Sequence, residues 1–66
     1  MDAIAMGKKL KVLRGTASAD VVSKALKISR SALFMYERGE RVPRDEVKVR
    51  IANYYNCSVA EIFFGD

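Results

Sequence analysis

Apolar residues recur along the chain at intervals of three and four positions, which is the spacing of one side of a helix. No segment alternates apolar and polar residues over the length of a strand. The pattern therefore predicts an all-α protein, a compact bundle of five short helices. Their predicted bounds are 6–14 (with a start as early as residue 2), 19–26, 30–38, 44–55, and 59–63 or 64.

The residues at the predicted helix ends agree with these bounds. Three serines stand at N-cap positions, and two residues that tolerate left-handed backbone stand at C-termini. The N-caps are Ser18, Ser29 and Ser58, the last with Glu61 in the spacing of a capping box, and the C-terminal residues are Gly39 and Asn56. Because Ser29 opens the third helix, only Lys27 and Ile28 separate it from the second. This tight connection is typical of the helix-turn-helix arrangement, whose second helix usually enters a DNA groove.

The apolar positions that share one side of each helix form the predicted core. They are Met6, Leu10 and Leu13 in the first helix, Val22, Ala25 and Leu26 in the second, Leu33 and Tyr36 in the third, and Val47, Ile51, Tyr54 and Tyr55 in the fourth. The lysines of the first helix are expected to face water.

Length and composition narrow the class of protein. The 66 residues suit one domain, residues 1–66, with too thin a core for an elaborate enzymatic cleft. Histidine is absent and Cys57 is the single cysteine, which leaves no His-paired nucleophile and no Cys/His zinc site. We therefore expect no enzyme, no cofactor and no metal. No intramolecular disulfide can form, no apolar run reaches the roughly 20 residues of a membrane span, and no signal peptide is expected, so the cytoplasm is the expected location.

The charge is unevenly distributed. The formal net charge is +4, from 12 Lys and Arg against 8 Asp and Glu. Between residues 27 and 50, seven basic side chains against four acidic ones give +3, so most of the excess lies in the middle of the chain. A localised basic region on a small domain attracts polyanions, nucleic acid first among them. A solvated surface is the alternative that charge alone leaves open.

Residues 29–43 carry the most informative motif. They read Ser-Arg-Ser-Ala-Leu-Phe-Met-Tyr-Glu-Arg-Gly-Glu-Arg-Val-Pro, and residues 57–63 read Cys-Ser-Val-Ala-Glu-Ile-Phe. In this order and spacing, the motifs resemble the DNA-binding domain of the phage repressor and Cro family (XRE type) of helix-turn-helix regulators. The resemblance runs from Met6 to Phe63. It implies a lambda-repressor-like fold and double-stranded operator DNA as the partner.

Some positions depart from the family pattern. Lys27 stands where the family usually has glycine between the two central helices. Ala19 replaces the glutamine that commonly contacts a phosphate, and Ser23 replaces a buried alanine. The segment between the first two helices is also slightly shorter than usual. These changes leave the expected fold intact.

The third predicted helix has two different sides. At about 100° per residue, Leu33 and Tyr36 lie on one side and Ser31 and Met35 on the other, flanked by Phe34. Solvated helices seldom carry such large apolar groups on the outside, so the outer side is expected to bind either DNA or another protein.

The resemblance favours DNA for this outer side. It places base contacts at Arg30, Ser31 and Met35. Arg30 is suited to guanine, while Phe34 and Met35 are suited to the methyl groups of thymine. These four residues are the predicted base contacts.

In the family, the loop after the third helix contacts the phosphate backbone of the DNA. Here that region contains Arg38, Arg41 and Arg44, which are the predicted phosphate contacts. The alternative is that these arginines serve solubility, with Arg38 and Arg41 paired to Glu40. Ser18 is a further backbone contact, through the amides at the start of the second helix, or simply a cap.

The resemblance also implies structural roles. In the family, an arginine near the end of the first helix pairs with the glutamate at the end of the third, which corresponds to Arg14 and Glu37. Cys57 takes the place of an apolar residue and is expected to be a small core residue.

A weak homodimer is the expected assembly, because the family commonly reads two half-sites about 34 Å apart. Ile62 and Phe63 match core positions of the family. Three consecutive apolar residues cannot all point inward from one helix, so Phe64 is the predicted dimer contact, with Phe63 next to it. The alternative is that Phe64 only covers the core.

These features predict a sequence-specific transcription regulator that binds double-stranded DNA, of the phage or prophage repressor type, in the bacterial nucleoid. The alternative is an antitoxin or another protein-interaction module of the same fold. In that case Phe34 and Met35 would face a protein.

Overall fold

The computed structural model describes residues 2–64, and all regular structure within them is helical. The five helices are α1 (Ala3–Arg14), α2 (Ala19–Leu26), α3 (Arg30–Glu37), α4 (Asp45–Tyr55) and α5 (Val59–Phe63). The prediction of an all-α bundle of five short helices is confirmed.

Side-chain caps determine where the helices begin. The Asp2 carboxylate accepts hydrogen bonds from the backbone N–H groups of Ile4 and Ala5, so α1 starts at the early limit of its predicted range. At α5, the Ser58 hydroxyl accepts from the Glu61 N–H at 3.0 Å, and the Glu61 carboxylate accepts from the Ser58 N–H at 2.8 Å. These bonds form the predicted capping box and hold the pKa of Glu61 below its ordinary value.

One core joins all five helices. Helix α1 packs on α3 and α5, α2 packs on α3 and α4, and α4 packs on α5. The buried apolar side chains are Met6, Leu10, Val22, Leu26, Leu33, Tyr36, Val47, Ile51, Ala52, Ile62 and Phe63. Most of the predicted core residues are therefore in place.

Three residues predicted for the core are exposed instead: Leu13, Ala25 and Tyr54. Leu13 lines an open groove between α1 and α5, and its exposed fraction is 37%. Ala25 is exposed because α2 turns Val22, Ser23 and Leu26 towards α3 and α4 instead. The Ser23 hydroxyl is satisfied by donating to the Asp20 carbonyl at 3.1 Å.

The other corrections concern the end of α4. Tyr54 is 44% exposed, while Ala52 takes the buried position. Tyr55 and Cys57 are half-buried and pack against the edge of the core. The side of α4 that faces inward is decided by its contacts with α2 and α5, which apolar spacing alone does not reveal.

The backbones of α1 and α3 approach each other closely at Gly7. A Cβ atom on this buried glycine would lie 2.4 Å from the carbonyl oxygen of Glu37 and 2.8 Å from that of Tyr36. Only a residue without a side chain permits this approach. The close packing fixes α3 against the rest of the bundle.

The turn between α2 and α3 contains an unusual residue. Lys27 ends α2 in the left-handed conformation, with φ of 59°. This backbone conformation is costly for any residue that carries a Cβ atom. Its N–H donates to the carbonyl of Lys24. Because Ser29 caps α3 two residues later, the predicted tight turn is present.

Candidate nucleic-acid interface

The outer side of α3 presents the four residues predicted to contact bases. Arg30 and Ser31 are exposed, and Phe34 and Met35 are half-buried. They form two pairs spaced by four residues, so they lie together on one side of the helix. Helical geometry alone determines this grouping, since Leu33 and Tyr36 point into the core.

An ion pair joins this helix to α1. The Arg14 guanidinium donates to both oxygens of the Glu37 carboxylate, from Nε at 2.7 Å and from Nη2 at 3.0 Å. A third bond runs from Nη1 to the carbonyl oxygen of Ala17 at 2.8 Å. The Glu37 side chain is only 3% exposed, and its hydrogen bonds raise the pKa of Arg14.

The same pair bears on two aromatic side chains. The Arg14 guanidinium carbon lies 5.9 Å from the centre of the Phe34 ring, within the range of a cation–π contact. Burial, with a further contribution from the charge of Glu37, raises the pKa of Tyr55 to about 12. Arg14 thus contacts both Glu37 and the ring of Phe34, one of the outward residues.

A basic cleft of about 200 Å³ lies beside α3. Its cationic side chains come from the turn after α2, the loop after α3, and α4; they are Lys27, Arg41, Arg44 and Arg50. Arg41 and Arg44 were predicted to contact phosphate, whereas Lys27 and Arg50 were not predicted for any site. Their only signal in the sequence was positive charge, because they lie far apart along the chain and meet only in the fold.

The cations of this region differ in how they are paired. The guanidinium of Arg38 makes two hydrogen bonds to the Glu40 carboxylate, at 2.8 and 3.2 Å, which raise the pKa of Arg38. Among residues 2–64, Arg41 has no carboxylate partner, and Arg44 lies 3.8 Å from Glu46 in an exposed pair. Glu40 is therefore the partner of Arg38, and the guanidinium of Arg41 is left available.

Two other side chains of the region already have structural partners. Arg50 donates from Nη1 to the carbonyl oxygen of Leu26 at 3.0 Å, so it braces the end of α2 as it lines the cleft. The Ser18 hydroxyl accepts from the N–H groups of Asp20 and Val21, at 3.2 and 3.5 Å. The Ser18 side chain is thus engaged as the cap of α2.

Comparison with known families decides what this arrangement is. A family model described as helix-turn-helix matches residues 9–62, which is more than half of the chain. The chain belongs to the repressor and Cro type of helix-turn-helix domains. Neither the curated proteins nor the solved structures contain a significant match to it.

Membership of the helix-turn-helix family makes this a DNA-binding regulatory domain. None of the helices in residues 2–64 is long and apolar enough to cross a membrane.

The end of the helix-turn-helix domain differs from one prediction. Phe63, predicted to lie next to the dimer contact, is 1% exposed and fills the core, so it offers almost no surface to a second chain. Phe64 follows as the C-cap of α5 and is 62% exposed. The Lys48 ammonium lies 5.2 Å from the centre of the Phe64 ring, which places this aromatic surface next to α4.

Proposed function

We propose that this helix-turn-helix protein is a sequence-specific transcription regulator, a repressor of the phage or prophage type, and that residues 1–66 act as one DNA-binding unit. Its α3 enters the major groove of duplex DNA. The observation that carries the proposal is the outer side of α3, where Arg30, Ser31 and Met35 lie together beside a cleft lined by cations. A helix reads bases from such a side while neighbouring cations hold phosphates.

The roles of the outward residues follow from their chemistry. Arg30 donates two hydrogen bonds to the O6 and N7 atoms of a guanine, and Ser31 contacts a base or a phosphate. Phe34 and Met35 pack against thymine methyl groups. Arg14 lies 5.9 Å from the centre of the Phe34 ring and supports this apolar contact from within the protein.

The phosphate contacts come from the basic cleft. Arg41 and Arg44 supply the strongest of them, and Lys27 extends the cleft towards the start of α3. Arg38 contacts a phosphate once its hydrogen bonds to the Glu40 carboxylate have opened. At Ser18, the backbone N–H of Ala19 approaches a phosphate while the hydroxyl keeps its capping bonds from Asp20 and Val21.

Separate substitutions test readout and backbone binding. We expect Arg30→Ala to weaken specific binding by about 1–3 kcal/mol and to relax the preference at one base pair. Arg41→Ala should weaken binding to all duplexes alike and reduce the slope of log K against log salt by about one. Electrophoretic or anisotropy titrations at several salt concentrations measure both effects.

The duplexes for this test are obtained by selection from a random pool, which also gives the site and its symmetry. Lys8→Ala is the matched control, because Lys8 is exposed on α1 and lines neither α3 nor the cleft. Equal losses on selected and unrelated duplexes for both arginine variants would contradict the division of roles. Weak binding of the unaltered protein with no sequence preference would instead favour a protein-interaction module.

Lys27 gives a test that separates stability from DNA affinity. We expect Lys27→Gly to raise the free energy of unfolding by about 0.5–1 kcal/mol, since glycine relieves the left-handed backbone. The same change removes a cation from the cleft and should weaken binding to every duplex. Thermal denaturation and salt titrations measure the two effects.

Asn56→Gly is the control for Lys27→Gly. Asn56 has the same left-handed backbone, with φ of 60°, but ends α4 outside the cleft. It should therefore leave DNA affinity unchanged. If Lys27→Gly binds DNA as well as the unaltered protein, Lys27 is not a phosphate contact.

A weak homodimer completes the proposal, with Phe64 as its contact. We expect Phe64→Ser to keep the helical spectrum and the melting temperature nearly unchanged, because this ring is 62% exposed. Cooperative binding to a palindromic site should be lost, while binding to one half-site persists. Val49→Ser, at a 48% exposed position on α4, is the control. Unfolding of Phe64→Ser, or a selected site that one monomer fills, would refute this assembly.

A further inference from the structure

An open groove of about 370 Å³ lies between α1 and the segment that contains α5. Its lining residues are Lys8, Lys9, Val12, Leu13, Cys57, Glu61 and Ile62. None of them belongs to α2, α3 or the basic cleft. The groove is therefore separate from the proposed DNA interface.

The two apolar side chains that α1 contributes to the groove are exposed to solvent. Val12 is 79% exposed and Leu13 is 37% exposed. Both side chains line the groove. Exposed apolar side chains beside a groove are typical of a surface that binds another protein.

The charge of α1 is of one sign. The helix carries four basic residues and no acidic one, and Lys8 and Lys11 are exposed. The acidic side chain at the groove is Glu61, whose carboxylate caps the N–H of Ser58. Lys9 donates to the backbone carbonyl of Glu61 at 3.1 Å, so its ammonium also lies at the groove.

We propose that this groove binds an acidic amphipathic helix of a partner protein. Apolar side chains spaced by three and four residues would fill the groove over Val12, Leu13 and Ile62. Acidic side chains beside them would face Lys8 and Lys11. A second copy of this chain is disfavoured at this surface because its own α1 is equally positive, and nucleic acid is disfavoured because the floor of the groove is apolar.

A synthetic peptide tests the proposal on the full chain. The probe is a fluorescein-labelled helix with leucines at positions i, i+3, i+4 and i+7 and glutamates on both flanks. Two control peptides carry serine for each leucine, or lysine for each glutamate. We expect anisotropy to show saturable binding of the acidic peptide alone, weakened by salt.

Protein variants locate the binding surface. We expect Val12→Asp to weaken peptide binding about tenfold or more, whereas Val49→Asp on α4 should leave it unchanged. Exchanging Lys8 and Lys11 for glutamate should reverse the preference, so that the lysine peptide binds and the glutamate peptide does not. Circular dichroism confirms that each variant is folded.

Cys57 provides an independent readout, because it lines the groove and is the single cysteine of the chain. The acidic peptide should slow its alkylation by iodoacetamide about tenfold at saturation, as a covered side chain requires. Unprotected Cys57, or equal binding by the Val12→Asp and Val49→Asp variants, would overturn the proposal. So would self-association that Val12→Asp abolishes.

Discussion

Arg14→Ala is expected to lower the free energy of unfolding by about 3–5 kcal/mol, which is most of the stability of so small a domain. The substitution leaves the Glu37 carboxylate, 3% exposed, without the two hydrogen bonds that it accepts from Arg14. An ionised carboxylate enclosed in this way has neither water nor a counter-ion. Urea denaturation followed by circular dichroism measures the change.

The expected losses are unequal for the two members of the pair. Glu37→Ala should cost less than Arg14→Ala, because the Arg14 side chain is 16% exposed and keeps its bond to the Ala17 carbonyl. Replacing both residues should be milder than Arg14→Ala alone, since no buried charge is then left unpaired.

Glu40 offers a matched control for this pair. Its carboxylate binds Arg38 with similar geometry, but both side chains are more than half exposed. Glu40→Ala should therefore cost about 1 kcal/mol or less. If Arg14→Ala and Glu40→Ala unfold at the same urea concentration, the Arg14–Glu37 pair does not stabilise the fold.

Gly7→Ala is the second substitution with a large expected effect. Glycine to alanine inside a helix normally raises stability by about 0.5–1 kcal/mol. Here the new Cβ atom would lie 2.4 Å from the Glu37 carbonyl oxygen and 2.9 Å from its carbonyl carbon, both backbone atoms that cannot rotate away. Helices α1 and α3 must separate, and we expect a loss of about 3 kcal/mol.

Thermal denaturation measures the effect of Gly7→Ala. The direction of the change in melting temperature shows whether α1 and α3 are in close contact at this point. Ala5→Gly, at an exposed position of the same helix, is the control and should cost about 1 kcal/mol through helix propensity alone. Separation of the helices also moves α3 away from Arg14, so specific DNA binding should weaken as well. A melting temperature above that of the unaltered protein would show that α1 and α3 are not in close contact at this point.

The outer side of α3 was predictable because it depends on one helix alone. Once Ser29 opens the helix, the turn of about 100° per residue separates Ser31 and Met35 from Leu33 and Tyr36. The basic cleft was predictable only in part. Arg41 and Arg44 follow α3 directly, whereas Lys27 and Arg50 reach the cleft from other elements.

The sequence by itself determined the local features of this protein. The spacing of apolar residues located the helices, and caps such as Ser18 and Asn56 located their ends, because these interactions span only a few residues. Tertiary structure decided which side of each helix faces the core and which charged side chains lie close together. Leu13 is left at an open groove, Ala52 takes a buried position while Tyr54 stays exposed, and Lys27 and Arg50 meet at the cleft. These outcomes depend on surfaces brought together from distant parts of the chain, which periodicity within one helix does not specify.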